Sequence, residues 1–350
     1  MSRIVAVAPE LPEYSYPQAE ITRALVPLIT HGTAHQAVME RTHANSGIGT
    51  RHTALPLERY GDLGSFRETN DIFIAVATEL CARALSRALD EAGLAPTAVD
   101  FIMFTSVTGI SAPSIDAILV HRLGLRPDVK RLPSFGLGCL AGAAGLARVN
   151  DYLEGHPGGV GVLVSVELCS LTLQRGDESM ANFVATGLFG DGAAAVVMVG
   201  DGHPLAAGPR IVATRSATYP DSTDVIGFLV GGTGFEIVLS PGVAEVIERY
   251  FPGDVATFLS ENTLALADID TWIAHPGGPR VLDAFASSLG IEHDEFSLSW
   301  ASLERVGNLS SAAVLHVLAD TLAIEKPREH GLLFALGPGV SAEFVLLEWT

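Results

Sequence analysis

The sequence predicts an α/β fold built from two similar layered halves. Three observations lead to it. Apolar runs of strand length alternate with segments of helical periodicity over most of the chain. Landmarks of the first half recur in the second at a spacing of about 170 residues. A hydrophobic content of 48% and a mean hydropathy of +0.35 supply a core large enough for two such units. The expected division is 1–205 for the N-terminal half and 206–350 for the C-terminal half.

In chain order, residues 1–10 hold one Arg and a short apolar run that stops at Pro9 and Glu10. That pattern reads as a first strand rather than a signal peptide. Residues 11–70 mix His, Pro and Gly and predict short helices and loops over the core. An alanine-rich amphipathic helix is expected over 69–93, with a glycine stop. A buried strand follows over 99–106, then a helix over 113–123 with Pro near its first turn. Residues 130–135 read as a strand, 146–153 as a helix, 160–166 as a strand, 182–188 as a helix and 193–199 as a strand.

The second half repeats the plan. Asp100 opens one strand, and Asp270 opens the strand that ends at His275. Cys139, before its run of small residues, matches Asn308 in Asn308-Leu-Ser-Ser-Ala-Ala. Gly161-Val-Leu-Val-Ser matches Gly331-Leu-Leu-Phe-Ala, and Gly190-Asp-Gly resembles Gly337-Pro-Gly at a shorter spacing of 147 residues. Equivalent turns of two similar halves meet near their pseudo-twofold axis. Cys139, His275 and Asn308 are therefore expected in one site.

Bulk charge narrows the function. A formal net charge of −19 argues against non-specific binding of nucleic acid or anionic lipid. An anionic substrate needs a local basic patch, and an acidic carrier protein would be repelled without one. No apolar run reaches the length of a bilayer span. Three widely spaced cysteines argue against a disulfide framework or a zinc site. A cytoplasmic protein with free thiols, no metal and no cofactor is expected.

Cys139 sits between glycines at a strand-to-helix turn. Unpaired N–H groups and the helix dipole at that place favour a thiolate, so a lowered pKa is expected. A small buried cysteine in a packed turn is the competing reading. A nearby His can share the thiol proton, and His and Asn N–H groups can donate to an oxyanion or enolate. His316 and Cys81 read as packing residues, and Cys169 as either pocket lining or packing. His31, His35, His43 and His52 show no metal-ligand spacing.

Several blocks occur together and in order. They are Gly138-Cys139-Leu-Ala-Gly, Gly187-Leu-Phe189-Gly-Asp-Gly-Ala-Ala, Trp272-Ile-Ala-His275-Pro-Gly-Gly, Gly307-Asn308-Leu-Ser-Ser and Gly337-Pro338-Gly339. The set resembles the signature of the type III polyketide synthases, the chalcone-synthase-like enzymes, from about residue 95 onward. The resemblance implies a thiolase-like duplicated α/β/α/β/α five-layered fold and a homodimer. It implies Cys139 as the acyl-carrying nucleophile, with His275 and Asn308 holding the thioester oxygen during decarboxylation of malonyl-CoA. Acyl-CoA and malonyl-CoA would be substrates rather than cofactors, with an acyl carrier protein as the other possible starter donor. Phe189 and Phe235 would gate the cavity, and Arg51 would grip the CoA phosphates. Thr172, Ser310, Gly337, Pro338 and Gly339 would line the substrate site.

Departures from the plant enzymes bear on the starter. Ala112 stands where those enzymes carry a Met that reaches into the partner's cavity. Thr108, Ala112 and Cys169 resemble the bacterial subgroup primed by long-chain acyl-CoA, which makes alkylresorcinols and alkylpyrones. Each buried methylene contributes about 0.8 kcal/mol, so an acyl tunnel would dominate starter choice. Tetrahydroxynaphthalene synthases, which use malonyl-CoA alone, usually carry Cys where Val107 stands, and on that residue they rank second. A ketoacyl-carrier-protein synthase III is a further alternative on the same fold, and an inactive dimeric acyl- or CoA-binding protein is the non-enzymatic one. An α/β-hydrolase elbow fails because Leu137 and Ala141 replace its glycines.

Overall fold

The computed structural model describes all residues except 206, 326, 327 and 350. The expected division between 205 and 206 touches Ala206 and so lies partly outside the described residues. The first half runs β1 (Ser2–Glu10), β2 (Tyr14–Pro17), α1 (Gln18–Ile29), α2 (Thr33–Ala44), β3 (Thr50–Thr53), α3 (Phe66–Ala92), β4 (Phe101–Thr105), α4 (Ile115–Leu123), β5 (Lys130–Ser134), α5 (Ala141–Glu154), β6 (Val160–Leu168), α6 (Met180–Leu188) and β7 (Asp191–Gly200). The second half runs β8 (Arg210–Thr218), β9 (Ile226–Gly231), β10 (Gly234–Leu239), α7 (Val243–Glu261), β11 (Thr271–Ala274), α8 (Pro279–Leu289), α9 (Ser297–Val306), α10 (Ala313–Ala323), β12 (His330–Gly337) and β13 (Ser341–Glu348).

The large sheet has the order β11-β12-β13-β8-β1-β7-β6-β4-β5. Read from the β8/β1 junction outward, β8-β13-β12-β11 mirrors β1-β7-β6-β4. Within each half the outer pairs, β4 with β6 and β11 with β12, are parallel. Among the described residues β1 and β8 pair only at Ser2↔Ile211 and Arg3↔Arg210, with Ile4 N donating to Pro209 O at 3.0 Å beside them, so the sheet folds into two sub-sheets at that seam.

Strand periodicity then builds the layers. In β6, Val162, Val164 and Val166 pack outward with α3, while Leu163 faces the opposite way with α5 and α10. In β12, Leu332, Phe334 and Leu336 pack outward with α7 and α8, while Leu333 and Ala335 face α5 and α10. The central pair α5 and α10 is thus buried between the two sub-sheets. α5 can sit there because its first turns are small. A Cβ on Gly142 would lie 2.3 Å from the Ser311 carbonyl, and one on Gly145 would lie 2.4 Å from Leu163.

Most expected elements form, with ends shifted by a few residues. α3 starts three residues early because the Ser65 hydroxyl caps it by accepting from Glu68 N, and Gly93 closes it in the left-handed region at φ +67°. Residues 11–70 give α1, α2 and the small β2–β3 sheet. β8, the β9–β10 hairpin and α7 were not assigned from sequence. Their strands are only partly buried, so their hydrophobic alternation is weak.

Candidate active site

Cys139 lies in the single 3-10 turn Gly138–Leu140 that leads into α5. Gly138 takes φ +56°, and a Cβ there would meet Pro338 Cδ at 2.3 Å. A side chain at this position would therefore push the Gly337-Pro338-Gly339 loop off the cysteine turn. Pro338 lines the cavity beside Cys139. Gly337 and Gly339 do not line it. Gly337 packs against Leu137 and Leu140, and the Gly339 carbonyl accepts from Ser222 Oγ at 2.9 Å.

The cavity, about 1380 Å³ out to its open mouth, brings together Cys139, His275 and Asn308 from three distant segments. His275 follows β11. Its N–H donates to the Phe334 carbonyl at 2.9 Å, which continues the parallel ladder one step past the strand. The side chain is buried, and Nδ1 has no hydrogen-bond partner among the described residues. Burial lowers the imidazole pKa to about 3.

Asn308 is fixed from several sides. Its Oδ1 accepts from Ser310 N at 2.8 Å, and one Nδ2 hydrogen goes to the Gly277 carbonyl at 3.1 Å. The other Nδ2 hydrogen has no partner among the described residues. Its backbone bridges Phe189, since Asn308 N donates to Leu188 O at 2.9 Å and Gly190 N donates to Asn308 O at 3.0 Å.

The thiol corrects one expectation. Cys139 Sγ lies 3.5 Å from Ser310 Oγ, and a Ser310 hydroxyl that donates to sulfur would favour the thiolate, but burial outweighs it. The buried Glu167 carboxylate adds to the rise, and the thiol is pushed up to about 12 rather than down. Desolvation at this enclosed turn overrides the helix-terminus field.

Glu167, missed in the sequence, is the hub beneath the site. Its Oε2 accepts from Thr108 Oγ1 at 2.8 Å, Val107 N at 3.0 Å and Ser106 Oγ at 3.2 Å. Its Oε1 accepts from Ser310 Oγ at 3.4 Å and from Ser311 Oγ. One buried carboxylate thus ties the loop after β4 to the Asn308 turn. A lone acid in the apolar run of β6 was the available signal. A second polar chain on the cavity wall links Tyr60 to Ser170 at 2.5 Å, and Ser170 to buried Asp191, whose pKa burial raises to about 6.

The remaining expected residues divide. Thr108, Cys169, Thr172, Phe189, Phe235 and Ser310 line the cavity. The Thr108 hydroxyl is fully engaged, donating to Glu167 and accepting from Leu168 N at 2.9 Å. Phe235 sits in an aromatic cluster with Phe66 at 5.2 Å, Phe135 at 5.8 Å and Phe228 at 6.2 Å. Ala112 is exposed and does not line this cavity, as fits a position whose counterpart reaches into the partner's cavity. Two expectations are corrected. The Val107 side chain is buried away from the cavity, and its N–H serves Glu167. Arg51 lines the cavity wall but is 4% exposed, so it offers no open guanidinium at a phosphate-binding mouth. Its Nε donates to Gln18 Oε1 at 2.8 Å and its Nη1 to Phe189 O at 2.7 Å. Cys81 and His316 are buried packing residues, as read from sequence, and His316 Nε2 bonds the Ala193 carbonyl at 2.9 Å. No group of metal-ligating side chains occurs among the described residues.

Comparison with known proteins agrees along the whole chain. Residues 2–202 match the chalcone and stilbene synthase N-terminal domain, and residues 210–349 match the C-terminal domain of the same enzymes. The chain is 48% identical to the 1,3,6,8-tetrahydroxynaphthalene synthase of Streptomyces peucetius subsp. caesius, over 99% of this chain and 93% of that protein. It is 30% identical to an alpha-pyrone synthesis polyketide synthase-like protein of Mycobacterium tuberculosis (strain H37Rv), over 88% of this chain and 81% of that one. The solved structure of the Streptomyces coelicolor A3(2) tetrahydroxynaphthalene synthase superposes with a TM-score of 0.93 at 31% identity, covering 99% of each chain.

Proposed function

The chain belongs to the chalcone and stilbene synthase family, the type III polyketide synthases, and within it we propose an enzyme that builds its product from malonyl-CoA alone and closes it to tetrahydroxynaphthalene. The family makes it an acyl-transferring, chain-condensing enzyme of thiolase-like fold that uses CoA thioesters. The observation that carries the finer reading is the 48% identity to a tetrahydroxynaphthalene synthase over 99% of the chain. This reverses the order expected from the sequence, where a long-chain starter ranked first. One of the residues behind that ranking, Val107, does not face the cavity.

In the proposed mechanism Cys139 Sγ attacks the starter thioester, and CoA leaves carrying the proton that the thiol gave up. Burial disfavours a charge on Cys139 and on His275, so this reading starts from a neutral pair. The proton therefore leaves sulfur as the acyl group arrives. The incoming malonyl thioester then loses carbon dioxide, and the electrons of the broken C–C bond pass to an enolate. Its oxygen charge is met by N–H donors from His275 and the free N–H of Asn308. The enolate carbon attacks the Cys139 thioester, the C–S bond breaks, and the Cys139 sulfur leaves as a thiolate that takes up a proton from solvent. The lengthened chain is then a CoA thioester, and it returns to Cys139 by the same acyl transfer, with release of CoA, before the next extension. Thr108, Cys169, Thr172, Phe189, Phe235, Ser310 and Pro338 shape the space in which the chain grows. The 1–205 half supplies the cysteine, and the 206–350 half supplies His275 and Asn308.

A homodimer is part of this reading. Edge strand β5 and its neighbours expose Leu132, Phe135 and Ile110 at 42%, 53% and 49%, an apolar face that a second copy would cover. CoA rather than a carrier protein delivers the starter, in keeping with the chain's net charge of −19. The cytoplasm, where malonyl-CoA is made, is the expected compartment. A second reading keeps a long acyl starter, favoured by the cavity's apolar wall of Ile21, Leu25, Leu57 and Ile237. Product analysis by mass spectrometry separates the two. Malonyl-CoA alone gives tetrahydroxynaphthalene under the proposal, whereas a requirement for a fatty acyl-CoA supports the second reading.

A further inference from the structure

Arg51 is a buried cation on the cavity wall; its Nη2 has no partner among the described residues, and its other contacts converge on the end of α6. That helix stops at Leu188, where its last carbonyls lose their helical partners and carry the negative end of the dipole. Three successive carbonyls there are taken by three different segments. Gly187 O accepts from Gln18 Nε2 at 2.8 Å, Leu188 O from Asn308 N at 2.9 Å and Phe189 O from Arg51 Nη1 at 2.7 Å. Gln18 also holds Arg51, through Oε1 to Nε at 2.8 Å. The arginine stem fills the space beside Gly307, where a Cβ would lie 3.1 Å from Arg51 Cγ and Cδ. Gly307 immediately precedes Asn308 and takes φ +75°. One side chain from β3 therefore touches the residue before Asn308 and the carbonyl of Phe189. Burial lowers its pKa only to about 10, so it stays cationic at neutral pH.

We infer that Arg51, held by Gln18, is a positioning residue that sets the Asn308 amide and the Phe189 ring over Cys139, and that it does not grip CoA. A guanidinium suits this task because its rigid fork serves two acceptors in different directions, which the single ammonium of lysine does not. The inference rests on the proposed role of Asn308 in decarboxylation, and not on which starter the enzyme uses.

The test compares Arg51→Gln with the wild type on malonyl-CoA and on the malonyl thioester of N-acetylcysteamine, which lacks the nucleotide phosphates. Carbon dioxide release reports decarboxylation, and intact-protein mass reports acylation of Cys139. The expected result is a fall in kcat for decarboxylation of roughly tenfold or more, by the same factor on both thioesters. KM and Cys139 acylation should change little, and Arg51→Lys should fall between wild type and Arg51→Gln. A KM that rises for malonyl-CoA alone would overturn the inference in favour of phosphate binding. Loss of acylation and decarboxylation together with a lowered Tm would reduce Arg51 to a structural residue. If Arg51→Gln does not fold, the same comparison is made on Arg51→Lys, and an unchanged decarboxylation rate there contradicts the inference. Asn308→Ala is the control. Wild-type decarboxylation in that variant would refute the assigned role of Asn308 itself, whatever Arg51 does.

Discussion

Cys139 and His275 line one cavity, and desolvation there disfavours a charge on either. A thiol whose pKa is raised to about 12 has a thiolate fraction that grows with pH throughout the working range. Alkylation of Cys139 by iodoacetamide should therefore rise roughly tenfold per pH unit between about pH 6 and about pH 9 without levelling off. Acyl-CoA should block it, and the fully buried Cys81 should stay unlabelled while the protein is folded. A plateau near neutral pH would mean that a thiolate–imidazolium pair already exists, and the neutral resting state would be wrong. At this scale the meeting of Cys139, His275 and Asn308 in one cavity was legible, because they sit in glycine-rich turns with distinctive neighbours. Their supports were not. Glu167 and Arg51 act through carbonyls and hydroxyls contributed by segments far away in the chain, and no local pattern records those partners.

Helix α5 shows how an element's sequence serves the site. Its small residues let the Cys139 turn and the Asn308 turn come into contact, since a Cβ at position 142 would overlap the Ser311 carbonyl. Gly142→Ala should lower stability in denaturant titration by about 1–3 kcal/mol, the usual cost of overpacking a closed site. Gly155→Ala, at the open end of the same helix where the nearest atom is 3.6 Å away, should stay within about 0.5 kcal/mol. Equal effects at the two positions would show that backbone entropy, rather than close approach, governs this helix. Elements buried on both faces, such as β6 and β12, were readable as apolar runs. The β9–β10 hairpin was not, because only part of each strand is covered and it pairs outside the large sheet.

Across the whole molecule, the repeat in the sequence becomes the mirrored order of strands about the β8/β1 seam. That symmetry carries the equivalent cysteine and asparagine turns to one cavity, which is why residues so far apart could be assigned together from spacing alone. Starter choice was less legible, because it depends on which side chains face the cavity. The loop after β4 turns the Val107 side chain away from it and leaves Ala112 exposed. The central claim concerns the finished machine: Cys139 carries a chain begun and extended from malonyl-CoA only. Intact-protein mass spectrometry after rapid acid quench of the enzyme with malonyl-CoA alone tests it most directly. The account predicts a ladder of thioester adducts on Cys139, spaced by one ketide unit and absent from Cys139→Ala. An enzyme that stays unmodified until a long-chain acyl-CoA is added would contradict it.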